Sequence, residues 1–142
     1  MRRMTSLDEL QRRASGGLPA HLGMRITHLA EGELRAELTL GAEHMAANGY
    51  LHAGTVVSLA DTAAGFGCIA HLPNGAESFT TIELKTNHVA TARAGTVACV
   101  ARLVHGGRTT QVWDATVRHV ESGRILAHYR ATQLLLCPRA QS

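Results

Sequence analysis

Asp61 is the first residue of this sequence whose surroundings suggest chemistry. It is the only acid in the run from His52 to Leu72, HAGTVVSLADTAAGFGCIAHL, which is rich in alanine and apolar on nearly every face of a helix. An unpaired carboxylate is costly in such a setting, so the protein must pair it, neutralise it or place it at a cleft. Two interpretations remain open: a hydrogen bond to a local hydroxyl such as that of Ser58 or Thr62, or a catalytic carboxylate.

The segment NGYLHAG, which begins at Asn48, is the second candidate because it lies where that helix would begin. The first amides of a helix have no partner within it and carry partial positive charge, so they can stabilise a developing oxyanion. The small residues Ala53 and Gly54 would let a carbonyl approach the backbone, and Asn48 and His52 would add side-chain donors. The alternatives are an ordinary turn at Asn48-Gly49 and a helix-capping or core role for His52.

The separation of His52 and Asp61 decides how the two residues can cooperate. They are nine residues apart, which on one helix amounts to about 13.5 Å of rise and about two and a half turns. The two side chains then point to opposite sides and cannot meet in one site within a single chain. If both act on one substrate, the site must be composite, with the helix start from one subunit of a symmetric dimer and the Asp from the other.

The segments around this run predict the elements that position it. Ser6 and Glu9 form a capping-box pattern at the start of a short helix at residues 6–14. LRAELTL, at residues 34–40, alternates apolar and polar residues as a half-buried strand does. The other predicted elements are a strand at 24–29, the buried helix at 52–72, and four strands in a meander at 78–89, 96–105, 109–120 and 124–136. A sheet curved strongly around the helix would bury it without a second layer of helices.

Composition favours a cytoplasmic protein of one domain. The 142 residues include 14 basic and 11 acidic side chains scattered along the chain, and few aromatics, which argues against nucleic-acid binding. The cysteines Cys68, Cys99 and Cys137 form no C-x-x-C pair, and the nine His lack metal-ligand spacing, so we expect reduced thiols and no metal site. The basic N-terminus has no apolar stretch behind it, and the run at 53–70 is too polar for a membrane span, so we expect no secretory signal and no membrane partner.

The stretch NGYLHAGTVVSLADTAAGFG resembles the signature of the hotdog thioesterases related to the phenylacetate-pathway thioesterase. That family shows an Asn, a Gly, then His-Gly-Gly, then Leu-Ala-Asp-Thr near the middle of a helix. The similarity extends over residues 20–136, since the order of strands agrees as well. The resemblance implies an α+β hotdog fold, in which a curved antiparallel sheet of about six strands wraps around one central buried helix. It places this domain at residues 23–137, after an N-terminal helical extension at 1–22 and before a C-terminal tail at 138–142.

The resemblance also implies roles for individual residues. Asp61 would be the catalytic carboxylate, acting as nucleophile or general base. The amide of Ala53 would polarise the thioester carbonyl, with His52 beside it. A hydroxyl on the strand after the helix, that of Thr81 or Thr80, would orient the attacking water.

Two positions depart from the pattern of that family. Ala53 stands where the family has the first Gly of His-Gly-Gly, which keeps the amide but adds a methyl group that would crowd the thioester. The family's Asn lies six residues before the His, where this chain has Ala46, and its Asn is at position 48 instead. A catalytic role for Asn48 therefore requires a displaced side chain to reach the same substrate.

We expect the chain to hydrolyse a small, medium-chain or aromatic acyl-CoA, with no cofactor beyond the coenzyme A of its substrate. Two other functions remain open: a non-catalytic acyl-CoA-binding protein of the same fold, and a hotdog dehydratase. Related thioesterases pair dimers into tetramers, so the expected assembly is a homotetramer whose dimer is the catalytic unit. The residues expected to bind substrate are Gly49, Gly54, Thr80, His88, Arg93 and Arg108, with His88, Arg93 and Arg108 meeting the coenzyme A phosphates.

Overall fold

Alternation of apolar and polar residues along the strands gives the sheet one buried face. The structure, a computed structural model, describes residues 5–139; residues 1–4 of the predicted extension and 140–142 of the predicted tail lie outside the described part. The strands are β1 (Arg25–Ala30), β2 (Glu33–Thr39), β3 (Ser78–His88), β4 (Thr96–Gly106), β5 (Thr110–His119) and β6 (Ile125–Leu136). The helices are α1 (Leu7–Arg13), α2 (Gly17–Leu22) and α3 (Ala53–Ala70), with a 3-10 turn at Ala42–His44.

The six strands form one antiparallel sheet in the order β1-β2-β4-β5-β6-β3. The predicted meander of four strands holds for β4, β5 and β6, which pair with their neighbours in sequence. It is wrong for β3, which pairs with β6 and not with β4. The cause is α3, which carries the chain about 27 Å between β2 and β3. β3 consequently joins the sheet at the edge opposite β1, and β4 takes the place beside β2. Within the described chain, β1 and β3 are the two edges of the sheet.

α3 is the buried helix that the alanine-rich run predicted. Leu59, Ala60, Ala63 and Ala64 have no exposed surface, and their small average size lets the sheet curve closely around the helix. Of the helices in the described residues, α3 is also the one long and apolar enough to cross a membrane. More than half of it is buried inside the fold, as is usual for the core helix of a soluble domain.

The N-terminal helices pack on the same core. α1 begins at Leu7, directly after the predicted capping residue Ser6, whereas α2 was not predicted. Leu10 of α1 has no exposed surface, and the side chain of Gln11 accepts a hydrogen bond of 2.7 Å from the Ile26 amide of β1. α1 is therefore attached to the sheet by both apolar packing and a hydrogen bond to the β1 backbone.

Gly67 lies where α3 meets the fully buried indole of Trp113. A Cβ at position 67 would lie 2.7 Å from the nearest ring carbon, and the ring is held by a 2.8 Å bond from its Nε1–H to the side chain of Gln111. We expect Gly67→Ala to lower the free energy of unfolding by about 1–3 kcal/mol, because the core must shift to admit the methyl group. Urea denaturation followed by Trp113 fluorescence, at fixed protein concentration, measures this. Gly16→Ala is the control, since its Cβ would have nothing within 4 Å; equal losses in the two variants would contradict the prediction.

Candidate active site

His52 is the N-cap of α3, and its ring fixes which helix amides are available. Its Nδ1 accepts the Gly54 amide at 2.7 Å. This bond requires an Nδ1 without a proton, so the proton of the neutral ring is on Nε2, where it can be donated. The amide of Ala53 has no hydrogen-bond partner within residues 5–139. The Ala53 amide is therefore free to polarise a carbonyl, whereas the Gly54 amide is occupied by His52.

The start of α3 is held in place by His44, which sequence reasoning missed. The carbonyl of His44 accepts both the His52 amide at 3.1 Å and the Thr55 hydroxyl at 2.9 Å. Its ring is buried, with Nδ1 accepting the Gly41 amide at 2.8 Å and Nε2 donating to the Leu22 carbonyl at 2.7 Å. One residue thus joins α2 and the 3-10 turn through its ring and holds the helix start through its carbonyl. A single His in a mixed segment gives no sequence signal for such a role.

A tight turn precedes the helix start. Gly49 has a φ of +85°, in the left-handed region that favours glycine. The side-chain oxygen of Asn48 accepts the Tyr50 amide at 3.1 Å, so it stabilises the turn and only the NH₂ group remains available for a ligand. The Arg93 guanidinium lies over the Tyr50 ring, 4.6 Å from its centroid. This stacking brings a cation to the rim of the helix start.

Asp61 is half-buried, and its hydrogen-bond partner is neither of the two predicted local hydroxyls. Its Oδ1 accepts the hydroxyl of Tyr129 on β6 at 2.8 Å, while Ser58 donates to the Gly54 carbonyl instead. Burial, followed by the charge of Asp61 and this hydrogen bond, raises the pKa of Tyr129 far above its usual value. Tyr129 is therefore a neutral donor. Sequence reasoning missed it because the two residues are 68 positions apart.

A small apolar pocket of about 190 Å³ opens beside Asp61. Its lining residues are Pro19, Asp61, Thr62, Gly65, Phe66, Ile69 and Phe79. The Phe79 ring on β3 packs against Gly65, where an added Cβ would lie 2.9 Å from its tip. Because residue 65 is a glycine, the Phe79 ring has room to form part of the pocket wall.

Of the two predicted hydroxyls on β3, that of Thr81 is half-buried, while Thr80 is exposed on the other side of the strand. The Thr81 Oγ1 donates to Oε1 of Gln133 at 2.7 Å. Gln133 has no exposed surface, and its Nε2 has no partner within residues 5–139. Because a hydroxyl has a single proton, the oxygen of Thr81 is left as an acceptor only.

The three predicted phosphate-binding residues are dispersed. Arg93 lies at the helix start and His88 ends β3. Arg108 borders a pocket with His71, the residue that ends α3 on the opposite side of the fold. One chain therefore does not gather all three around one phosphate group. In residues 5–139, no three His, Cys, Asp or Glu side chains converge as metal ligands would.

Comparison with known proteins gives the class to which this fold and site belong. Residues 48–126 match the family described as the Thioesterase superfamily. A thioesterase from Haemophilus influenzae superposes with a TM-score of 0.88 at 26% identity, covering 96% of this chain and 94% of its own. A 1,4-dihydroxy-2-naphthoyl-CoA hydrolase from Listeria monocytogenes is 31% identical over 116 residues, which are 82% of this chain and 93% of the relative. The fold is that of the hotdog thioesterases, and the relatives make this chain a hydrolase of acyl-CoA thioesters.

The chain belongs to the thioesterase superfamily. This confirms the predicted fold and the predicted enzyme class, a thioester hydrolase. The resemblance to the phenylacetate branch is supported more loosely. The Escherichia coli PaaI protein from the phenylacetic acid degradation operon superposes with a TM-score of 0.78, covering 92% of this chain and 96% of its own, but its 22% identity shows the fold alone.

Proposed function

We propose that the chain hydrolyses aromatic acyl-CoA thioesters in a site that two subunits of a homodimer form together. The observation that carries the proposal is the apolar pocket beside Asp61, whose wall includes the rings of Phe66 and Phe79. Aromatic rings pack favourably against one another in offset or edge-to-face arrangements. The Listeria relative is named for a naphthoyl-CoA, whose acyl group is an aromatic bicycle.

The size of the pocket favours a second subunit. Its volume of about 190 Å³ is below the roughly 300–1,000 Å³ of typical ligand sites, so a further wall is needed. The helix start that offers the Ala53 amide lies about 12 Å along α3 from Asp61. Edge strand β3 offers a surface for pairing, because Ile82 and Leu84 are 57% and 42% exposed there. Two sheets joined along β3 form the dimer, and two dimers form the expected tetramer.

In the proposed reaction, the thioester carbonyl oxygen accepts hydrogen bonds from the Ala53 amide and the Nε2–H of His52 in one subunit. Asp61 of the facing subunit acts on the carbonyl carbon in one of two ways. As a base it takes a proton from water while the water oxygen attacks; as a nucleophile it forms an anhydride that water then hydrolyses. In both cases the C–S bond breaks, the thiolate of coenzyme A leaves and takes up the proton, and the carboxylic acid is released.

Thr81 and Arg93 complete the proposed site. Because the proton of Thr81 is given to Gln133, its oxygen can accept a hydrogen bond from the attacking water and orient the water's lone pair. Arg93, stacked on Tyr50 beside the turn at Asn48 and Gly49, is placed to meet a phosphate of coenzyme A. His88 and Arg108 remain proposed phosphate contacts that the assembled oligomer would have to bring closer.

A panel of acyl-CoA thioesters tests the proposed substrate class. We expect benzoyl-CoA and 2-naphthoyl-CoA to give kcat/KM values at least about tenfold above those of acetyl-, octanoyl- and palmitoyl-CoA, since a difference of this size needs only about 1.4 kcal/mol of extra packing. Coenzyme A release is the measurement. Thr62→Phe, which fills the pocket beside Asp61, should lower kcat/KM for the aromatic thioesters more than for acetyl-CoA. A preference for octanoyl-CoA in both the wild type and Thr62→Phe would contradict an aromatic substrate.

A further inference from the structure

Tyr129 joins the proposed catalytic carboxylate to the sheet. It is 3% exposed, and its only proton is donated to Oδ1 of Asp61 at 2.8 Å. We propose that Tyr129 is the positioning residue of the site: it anchors one oxygen of Asp61 so that the other faces the pocket and reacts. This inference rests on the proposed catalytic role of Asp61.

The different roles of the two Asp61 oxygens follow from the chemistry of the phenol and the carboxylate. A phenol donates one hydrogen bond, and a carboxylate can accept at both oxygens. With Oδ1 bound to a rigid, packed side chain, rotation of the Asp61 side chain would break a charge-assisted hydrogen bond. Oδ2 has no hydrogen-bond partner within residues 5–139, and Asp61 lines the pocket. The tyrosine thus fixes the direction of attack and stabilises the charged carboxylate next to an apolar wall.

The side chains described next, which lie on the elements around Tyr129 and Asp61, carry no charge that would compete with the hydrogen bond from Tyr129. Cys99 on β4 and Cys68 on α3 are buried thiols, and burial raises the pKa of each to about 12, so both are neutral in an assay near pH 7. On β3, the residue opposite Tyr129 is the uncharged Thr86. The effect of the phenol on Asp61 is therefore not masked by a competing charge from these elements.

Tyr129→Phe removes the hydroxyl and keeps the ring. With the thioester of the panel that the wild type hydrolyses fastest, we expect kcat to fall roughly 10–100-fold with KM changed less than about twofold, because only the orientation of the reacting group is lost. Thr132→Val, which removes a hydroxyl from the opposite face of β6, is the control and should match the wild type. A Tyr129→Phe enzyme with wild-type kcat would overturn the proposal.

A second measurement does not depend on activity or on the folding of that variant. The chain has two tyrosines, and Tyr50 is exposed, so a slowly exchanging tyrosine hydroxyl proton in the NMR spectrum reports Tyr129. We expect this proton in the wild type and its loss in Asp61→Ala. If it persists unchanged in Asp61→Ala, the tyrosine does not hold Asp61, and the proposal fails. An active Asp61→Ala enzyme would instead overturn the proposed function, so the two failures are distinguishable.

Discussion

Replacing Asp61 by Asn should lower kcat by roughly 10³-fold or more while the protein stays folded and still binds acyl-CoA. The amide side chain has nearly the same shape and can still accept the hydrogen bond from Tyr129, but it cannot take a proton from water or attack a thioester. Coenzyme A release under single-turnover conditions separates this loss from any change in product release.

Asp114→Asn is the matched control for that experiment. Asp114 is also an aspartate with a hydrogen-bonded partner, Arg130, but the pair lies on the exposed face of the sheet. Exposed ion pairs contribute little to stability, so this variant should keep nearly full activity. Retention of most activity by Asp61→Asn would mean that another group performs the chemistry. Equal losses in the two aspartate variants would point to a general effect of charge.

Mixing two inactive variants should restore activity if the site is composite. The first variant is Asp61→Ala. The second is Ala53→Pro, which removes the amide proposed to polarise the carbonyl while suiting the first position of a helix. His52 precedes it with φ −69° and ψ 133°, a conformation that a following proline favours. Loss of one such donor should lower kcat roughly 10²–10³-fold in the second variant alone.

In a mixed dimer, one site combines the intact Asp61 of one chain with the intact helix start of the other. The second site receives both defects, so a one-to-one mixed dimer should show about half of the wild-type activity. Exchange of subunits is verified by mass spectrometry of the intact assembly. Mixing either variant with the Asp61→Ala, Ala53→Pro double variant is the control, because no intact site can form. If exchange is verified and no activity returns, Asp61 and the Ala53 amide of two different subunits do not act together on one substrate.

Local sequence patterns predicted the parts of this site that lie close together in the chain. Asp61 was identified because it is the only acid in an apolar helix. The segment NGYLHAG identified the helix start, with His52 as its cap. Alternation, runs of β-forming residues and the turns between them predicted the strands with bounds close to those observed. These features are visible because each depends on interactions within a few residues.

The features that were missed depend on contacts between distant segments. Tyr129 meets Asp61 only because β6 crosses over α3, and the position of β3 beside β6 was not encoded in any local turn. Arg108 and Arg93 looked equivalent as isolated cations, yet the fold places them at opposite ends of α3. Pairing of strands and direction of side chains are properties of the whole core, so a single sequence carries no local signal for them.

His44 limits where this enzyme can be truncated or fused to another sequence. Its bond to the Leu22 carbonyl crosses the boundary drawn between an extension at 1–22 and a catalytic domain at 23–137, and its own carbonyl holds the first turn of α3. α2, which ends at Leu22, thus helps to hold the helix start that carries the Ala53 amide. A shortened gene or a chimaera joined at residue 23 would discard an anchor of the proposed oxyanion donor, even though every proposed catalytic side chain would still be present.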